Sequence, residues 1–307
     1  MINKPTFALF ISMISVSFSA VLIKTSSAYA LYPLSIAFYR LLFTVLLITP
    51  YILSSKKIRD ELANIPLKTF IIMFIIGIVL SFHFSFWITS LTMTTIASSV
   101  LLVSIHPLLV GPVSHFFFHE KLSIFNVLGI IISIFGMTIL VLGNEYLSLN
   151  INTFMGNILA ILGGITAGIY ILGGRKVRKN VSIGSYAFII YSVSTIMLFF
   201  ICIFSNSPIY NDEIIGDFRI ILLMALIPGI LGHTLYNWSL QYVRASIVSV
   251  SLLVEPVGAS LLAFVIPWIH EIPSHFTIMG GCIILFGIYL TAKNPKSKID
   301  YSISTED

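Results

Sequence analysis

Charge is what this sequence has least of: 9% of its 307 residues are Asp, Glu, Lys or Arg, while 57% are hydrophobic. An ordinary soluble domain carries about 25% charged residues, because its surface has to be held in water. That scarcity excludes a soluble globular protein. Cysteine is also sparse: Cys202 and Cys282 each stand inside an apolar run, with no CxxC pair. They read as small packing residues, neither a disulfide framework nor a metal site. A glycine-rich phosphate loop and a soluble ATPase segment are missing too, which argues against direct ATP drive.

What the sequence has instead is a series of apolar runs of roughly 18–23 residues, the length that crosses roughly 30 Å of hydrocarbon. Ten such spans are expected, at about 7–25, 34–53, 68–90, 96–118, 124–143, 155–174, 184–204, 219–241, 246–268 and 276–292. The net charge of +5 does not point to nucleic acid, because the cations sit in short connections such as Lys56-Lys57-Ile58-Arg59 and Arg175-Lys176-Val177-Arg178-Lys179. With both termini in the cytoplasm, nearly every loop cation falls on the inner side and Arg219 alone on the outer, as the positive-inside rule requires. The longest connection, Ser205 to Phe218, holds Asp212, Glu213 and Asp217 and faces outward. Lys4, the run from Phe7 to Ile23 and Ala28-Tyr29-Ala30 imitate a cleavable signal. Lys24 interrupts that pattern, and the segment is expected to remain as the first span. Residues 294–307 read as a polar cytoplasmic tail.

The chain repeats itself. His119-Glu120, Gly129 and Gly136 recur as His270-Glu271, Gly280 and Gly287, each shifted by 151 positions. Upstream, Ala97-Ser98 and His106-Pro107 match Ala245-Ser246 and Glu255-Pro256, while His83 and Trp87 match His233 and Asn237. Two units follow, 5–143 and 155–293. With five spans each, an odd number, the second must enter the membrane in the opposite sense. Inverted five-helix repeats of this kind mark secondary transporters, whose site forms between the halves.

These residues, together with Tyr39-Arg40, Leu253-Val254-Glu255-Pro256-Val257 and Gly287-Ile288-Tyr289-Leu290, resemble the EamA-type transporters of the drug/metabolite transporter superfamily. The resemblance covers about residues 5–293 and implies an all-α membrane protein of ten helices with both termini cytoplasmic. It further implies export of amino acids or related small metabolites across the cell membrane, with a multidrug or organic-cation exporter as the alternative. The first half departs from the family pattern at His106.

Polar residues inside apolar spans are the candidate site. Glu255 lies about ten residues into its span, near mid-membrane at roughly 1.5 Å per residue. A carboxylate there normally meets a partner or a watery cavity, so it serves a substrate amine or a proton, or else anchors neighbouring helices. Pro256 and Pro107 are expected to free the carbonyls of Leu252 and Val103 at the same depth. His106 matches Glu255 in the repeat and reads as a neutral histidine bonded to a neighbouring helix, with proton coupling as the alternative. His83 and Trp87 share one helix face, as do His233 and Asn237 with Tyr236 nearby, and together they form the expected pocket wall. For Trp87 an aromatic-belt anchor is the competing reading. Lys24 and Arg40 are expected to snorkel to the headgroups, with a substrate carboxylate as the other option. Ala160, Gly164 and Gly168 recur at four-residue spacing, a face for close helix packing, with Gly168 and Tyr170 as possible cavity neighbours. His115 and His119 at i, i+4 beside Glu120 raise an intramembrane metallohydrolase, but the order is not His-Glu-x-x-His and no third ligand stands out. The sequence therefore calls for no cofactor and no metal. It calls for a small-molecule substrate, a lipid bilayer and protons as a candidate coupling ion, with no enzyme activity and no stated oligomeric order.

Overall fold

The computed structural model describes residues 4–26, 32–94, 96–120, 122–142, 151–210, 212–266, 272 and 274–292, and every regular element among them is a helix. The His270-Glu271 pair, the tail and the side chain of Lys24 lie outside the described residues. In chain order the helices are α1 Lys4–Thr25, α2 Pro33–Ser54, α3 Lys56–Asn64, α4 Leu67–Met93, α5 Ile96–Val103, α6 His106–Phe118 and α7 Ile124–Leu142. There follow α8 Ile151–Val177, α9 Ile183–Phe204, α10 Asp212–Gly216, α11 Phe218–Met224, a π-helical stretch Ala225–Thr234, α12 Leu235–Ser239, α13 Ala245–Ser251, α14 Val254–Val265 and α15 His275–Ala292.

Among the described residues seven stretches are long and apolar enough to cross a membrane: 4–23, 33–54, 67–93, 152–177, 183–204, 218–239 and 245–262. Two shorter apolar helices lie at Ile124–Ile139 and Ile278–Thr291. The surface is apolar, and polar and charged side chains are buried within a largely apolar interior. Phe116 and Phe117 are 71% and 76% exposed, whereas Arg40, Arg178 and Asn237 are buried. Lipid, not water, suits such a surface.

Two expected spans are broken. The run 96–118 parts at Ser104-Ile105 into α5 and α6, and the run 246–268 parts at Leu252-Leu253 into α13 and α14. Each break stands just before a matching proline, because proline cannot donate to the helical ladder. The Leu252 carbonyl is not freed as expected: it accepts from Glu255 N at 3.0 Å in a tightened turn. The Val103 carbonyl faces Gly164, where an added Cβ would come within 2.7 Å of it. Gly168 packs likewise on Leu109, so this face of α8 is a packing face.

Three local features depart from the sequence reading. Residues 56–64, expected as a connection, form the amphipathic helix α3, capped by Ser55 Oγ accepting from Ile58 N and pinned through buried Ile58. The acidic connection contains the short helix α10. The span through His233 widens into a π-helix around Pro228, whose missing N–H breaks the regular ladder.

The repeated glycines meet one another. An added Cβ would stand 2.8 Å from the Gly280 carbonyl at Gly136, and 2.7 Å from the Gly129 carbonyl at Gly287. The start of α7 therefore crosses the end of α15 and the reverse, so the two helices run antiparallel. Asn126 Nδ2 donates to the Thr291 carbonyl at 2.8 Å to complete this seam.

Candidate functional site

A cavity of about 60 Å³, room for several waters or a small polar group, lies inside the bundle. Its wall comes from α1, α4, α5, α6, α8, the π stretch, α12, α14 and the two helix breaks. Val16 and Ala167, Ser19 and Tyr170, His83 and His233, Val103 and Leu252, and His106 and Glu255 all line it, and each pair stands 149–151 positions apart. Equivalent positions of the two units thus face one space.

Six of the residues singled out by sequence, His83, Trp87, His106, His233, Tyr236 and Glu255, share this wall. His83 Nδ1 donates to the Gly163 carbonyl at 2.9 Å, which leaves Nε2 of a neutral ring as an acceptor. Its ring stacks on Trp87, centroids 6.0 Å apart and planes within 9°. Trp87 is buried, not anchored at a membrane surface, and its Nε1 has no partner among the described residues. His106 Nδ1 shares a hydrogen with Ser249 Oγ at 2.7 Å, tying the first unit to the second. His233 Nδ1 pairs with the Tyr236 hydroxyl at 2.9 Å. Glu255 places its carboxylate at the cavity and makes no side-chain hydrogen bond among the described residues.

Asn237 is not in the wall. It is completely buried one layer behind, with Nδ2 donating to the Tyr170 hydroxyl at 2.8 Å and to the His233 carbonyl at 2.6 Å, so it sets the position of Tyr170. Gly168 turns to Leu109, and Tyr170 with Ala167 fills the place expected of it. Arg40 does not snorkel. It is 1% exposed, reaches Ser19 Oγ with Nη1 at 3.2 Å and lies 4.7 Å above the Phe84 ring. An interior acceptor and an aromatic face replaced the headgroups.

A set of polar clamps away from the cavity ties the two units together. Glu120 Oε1 accepts from Arg175 Nε at 2.6 Å, and Oε2 accepts from Ala245 N at 3.1 Å. Arg175 Nη1 also donates to the carbonyls of Leu240 and Gln241 at 2.7 and 3.0 Å. Arg178, read in sequence as a loop cation, is buried and donates to the Asn237 and Val181 carbonyls and to Gln241 Oε1. Glu61 of α3 accepts from Ser182 N at 2.8 Å and from the hydroxyls of Ser182 and Ser185. The carboxylate of Glu120 is thereby committed to Arg175, and His115 Nδ1 accepts from Leu122 N at 3.3 Å. No group of three metal-ligating side chains occurs among the described residues. The sequence signal for these clamps was the repeated His-Glu pair, but nothing local pointed to Arg175 as its partner.

Comparison with known proteins agrees with this duplicated architecture. An "uncharacterized transporter" of Archaeoglobus fulgidus is 23% identical over 267 residues, covering 84% of this chain and 87% of its own. The uncharacterized transporter YdfC of Bacillus subtilis is 24% identical over 262 residues, covering 84% and 81%. A solved crystal structure shares the fold with a TM-score of 0.74 at 17% identity, over 94% of this chain and 96% of the other. The EamA-like transporter family model matches twice, over residues 3–142 and 154–293, so the duplication read from the glycines and the cavity wall is that family's domain in two copies, and the chain, a multi-pass membrane transporter, belongs to the EamA-like transporter family.

Proposed function

We propose that the chain is a secondary exporter of amino acids or related small metabolites, working by alternating access in the cell membrane. In this reading it has ten spans, both termini in the cytoplasm and the units 5–143 and 155–293 inverted. One observation carries it: a single cavity is walled by equivalent positions of both units and holds one carboxylate, Glu255. The antiparallel glycine seam supports inversion, and the loop cations support the orientation. In this reading Glu255 meets the ammonium of the solute while His83 Nε2 accepts a further hydrogen bond from it. Trp87, Tyr170 and Tyr236 supply aromatic faces to a cation, and that feature favours an organic-cation exporter as the second reading. Protons or the solute's own gradient supply the drive.

Purified protein in proteoliposomes is the test, with a panel of amino acids and organic cations and with and without a pH gradient. Glu255→Gln keeps the shape of the side chain and removes its charge. Net transport or its pH dependence is expected to be lost while the protein stays folded. Normal transport with an unchanged pH profile in that variant makes Glu255 a structural anchor.

A further inference from the structure

Arg40 on α2 is buried, yet among the described residues it makes one hydrogen bond, from Nη1 to Ser19 Oγ at 3.2 Å. Its Nε and Nη2 have no partner there. The Phe84 ring below it offsets part of the desolvation. A buried cation with unfilled donors is otherwise costly, so this corner of the fold favours an added negative charge.

Ser19 links that charge to the cavity. Its oxygen accepts from Arg40, no described residue accepts its proton, and Ser19 lines the wall. Its hydroxyl is therefore available to donate inward, and hydrogen bonds in such a chain strengthen one another in a low-dielectric interior. The same wall carries Glu255, whose side chain makes no hydrogen bond among the described residues. The same wall also carries the apolar side chains of Val16, Val103, Ile171 and Leu252.

We propose that Ser19, held by Arg40, is the second pole of the solute site and receives the carboxylate of a zwitterion whose ammonium lies against Glu255. The solute class is then a small amino acid with an apolar side chain, and a plain organic amine is the poorer ligand. This rests on the transporter reading of the cavity and adds the group that distinguishes its two candidate substrates. Arg40 touches no solute; it is a positioning residue acting through the Ser19 hydroxyl.

The test compares small matched probes on the purified full-length protein by calorimetry and tryptophan fluorescence: alanine against ethylamine, and valine against 2-methylpropylamine. A hydrogen bond to a charged group corresponds to about tenfold or more in affinity, so each amino acid is expected to bind at least about tenfold more tightly than its amine. Ser19→Ala removes one oxygen and is expected to bring that ratio toward one. Arg40→Gln is expected to do the same, and Arg40→Lys to restore part of the ratio, which a residue that merely pins α1, α2 and α4 together does not predict. Chromatographic and circular-dichroism checks establish that each variant is folded. If both probes of a pair bind and folded Ser19→Ala leaves the ratio unmoved, the proposal is overturned and the transporter reading stands. If no amino acid or amine binds the wild type, the proposal and the amino-acid reading fall together.

Discussion

Replacing Glu120 by Gln perturbs the clamp between the two units almost without changing its shape. The carboxylate is 7% exposed and Arg175 12%, and the pair joins the first family copy to the second. Both carboxylate oxygens are in use, one toward Arg175 Nε and one toward Ala245 N. An amide has one acceptor oxygen, so its NH2 must confront one of those two donors. Either way Arg175 loses its counter-charge inside the protein. Removing one partner of a buried pair costs about 3–5 kcal/mol, and Arg175 keeps part of its compensation in the carbonyls of Leu240 and Gln241. The expectation is the lower end of that range, about 3 kcal/mol, for Glu120→Gln and for Arg175→Met alike. The double variant Glu120→Met/Arg175→Met removes both charges and is expected to cost far less than the sum, since apolar replacement of a whole buried pair is often near neutral. Denaturant unfolding of the wild type, Glu120→Met, Arg175→Met and the double variant in one detergent gives the cycle, with Glu120→Gln read beside it. Single losses of about 1 kcal/mol or less that simply add would sink the reasoning, because they describe a pair already shared with water.

Two further outcomes follow from the seam and the topology. Gly136→Ala and Gly287→Ala each set a methyl against backbone of the opposite helix, and each is expected to destabilise by about 1–3 kcal/mol, read as a lowered midpoint of thermal unfolding. Gly216→Ala, with nothing within 4 Å of its added Cβ, is the control and should stay within about 0.5 kcal/mol. Single cysteines replacing exposed Lys57 and Lys179, in a background lacking Cys202 and Cys282, are expected to react with an impermeant reagent only from the cytoplasmic side, and one at Asp212 only from outside. Labelling of position 179 in intact cells contradicts the proposed orientation.

The seven long apolar stretches were legible because lipid imposes a composition that local reading detects. The polar wall was legible for the same reason: His83, His106, His233 and Glu255 stand out in apolar runs, and such residues need a shared interior. The glycine repeat was legible as spacing, and the seam gives that spacing its physical cause, since only glycine allows those backbones to approach. What was not legible depends on partners distant in sequence. Arg40 and Arg178 look like interfacial cations until Ser19, Phe84, Asn237 and Gln241 are seen around them. Asn237 looked like a pocket residue because it shares a face with His233, yet Tyr170 stands between it and the cavity. Helix α3 was hidden by its charge, which a search for apolar runs reads as a loop. The helix breaks had a signal in the prolines, but the turn that re-uses the Leu252 carbonyl is a tertiary adjustment.

The packing also explains how two similar units make a chemically lopsided cavity. The first helix of each copy packs on the other copy: α1 against the π stretch, α12 and α14, and α8 against α4, α5 and α6. The two crossings use a matched position of the first helix and adjacent positions of the third span, with opposite polarity. At one, Ser12 Oγ of α1 donates to the Gly232 carbonyl at 2.9 Å. At the other, the helix α8 residue at the Ser12 position is Gly163, and its carbonyl accepts from His83. A side chain supplied by the first helix in one crossing is supplied by the third span in the other. His83 is thereby fixed with its remaining nitrogen as an acceptor, whereas His233 is left to pair with Tyr236 within its own segment. A similar exchange separates His106, bound to Ser249, from Glu255, whose carboxylate is unpartnered among the described residues. Duplication supplies the shape of the cavity, and substitution at matched positions gathers acceptors and a carboxylate on its wall, the asymmetry on which the proposed recognition of a solute amine rests.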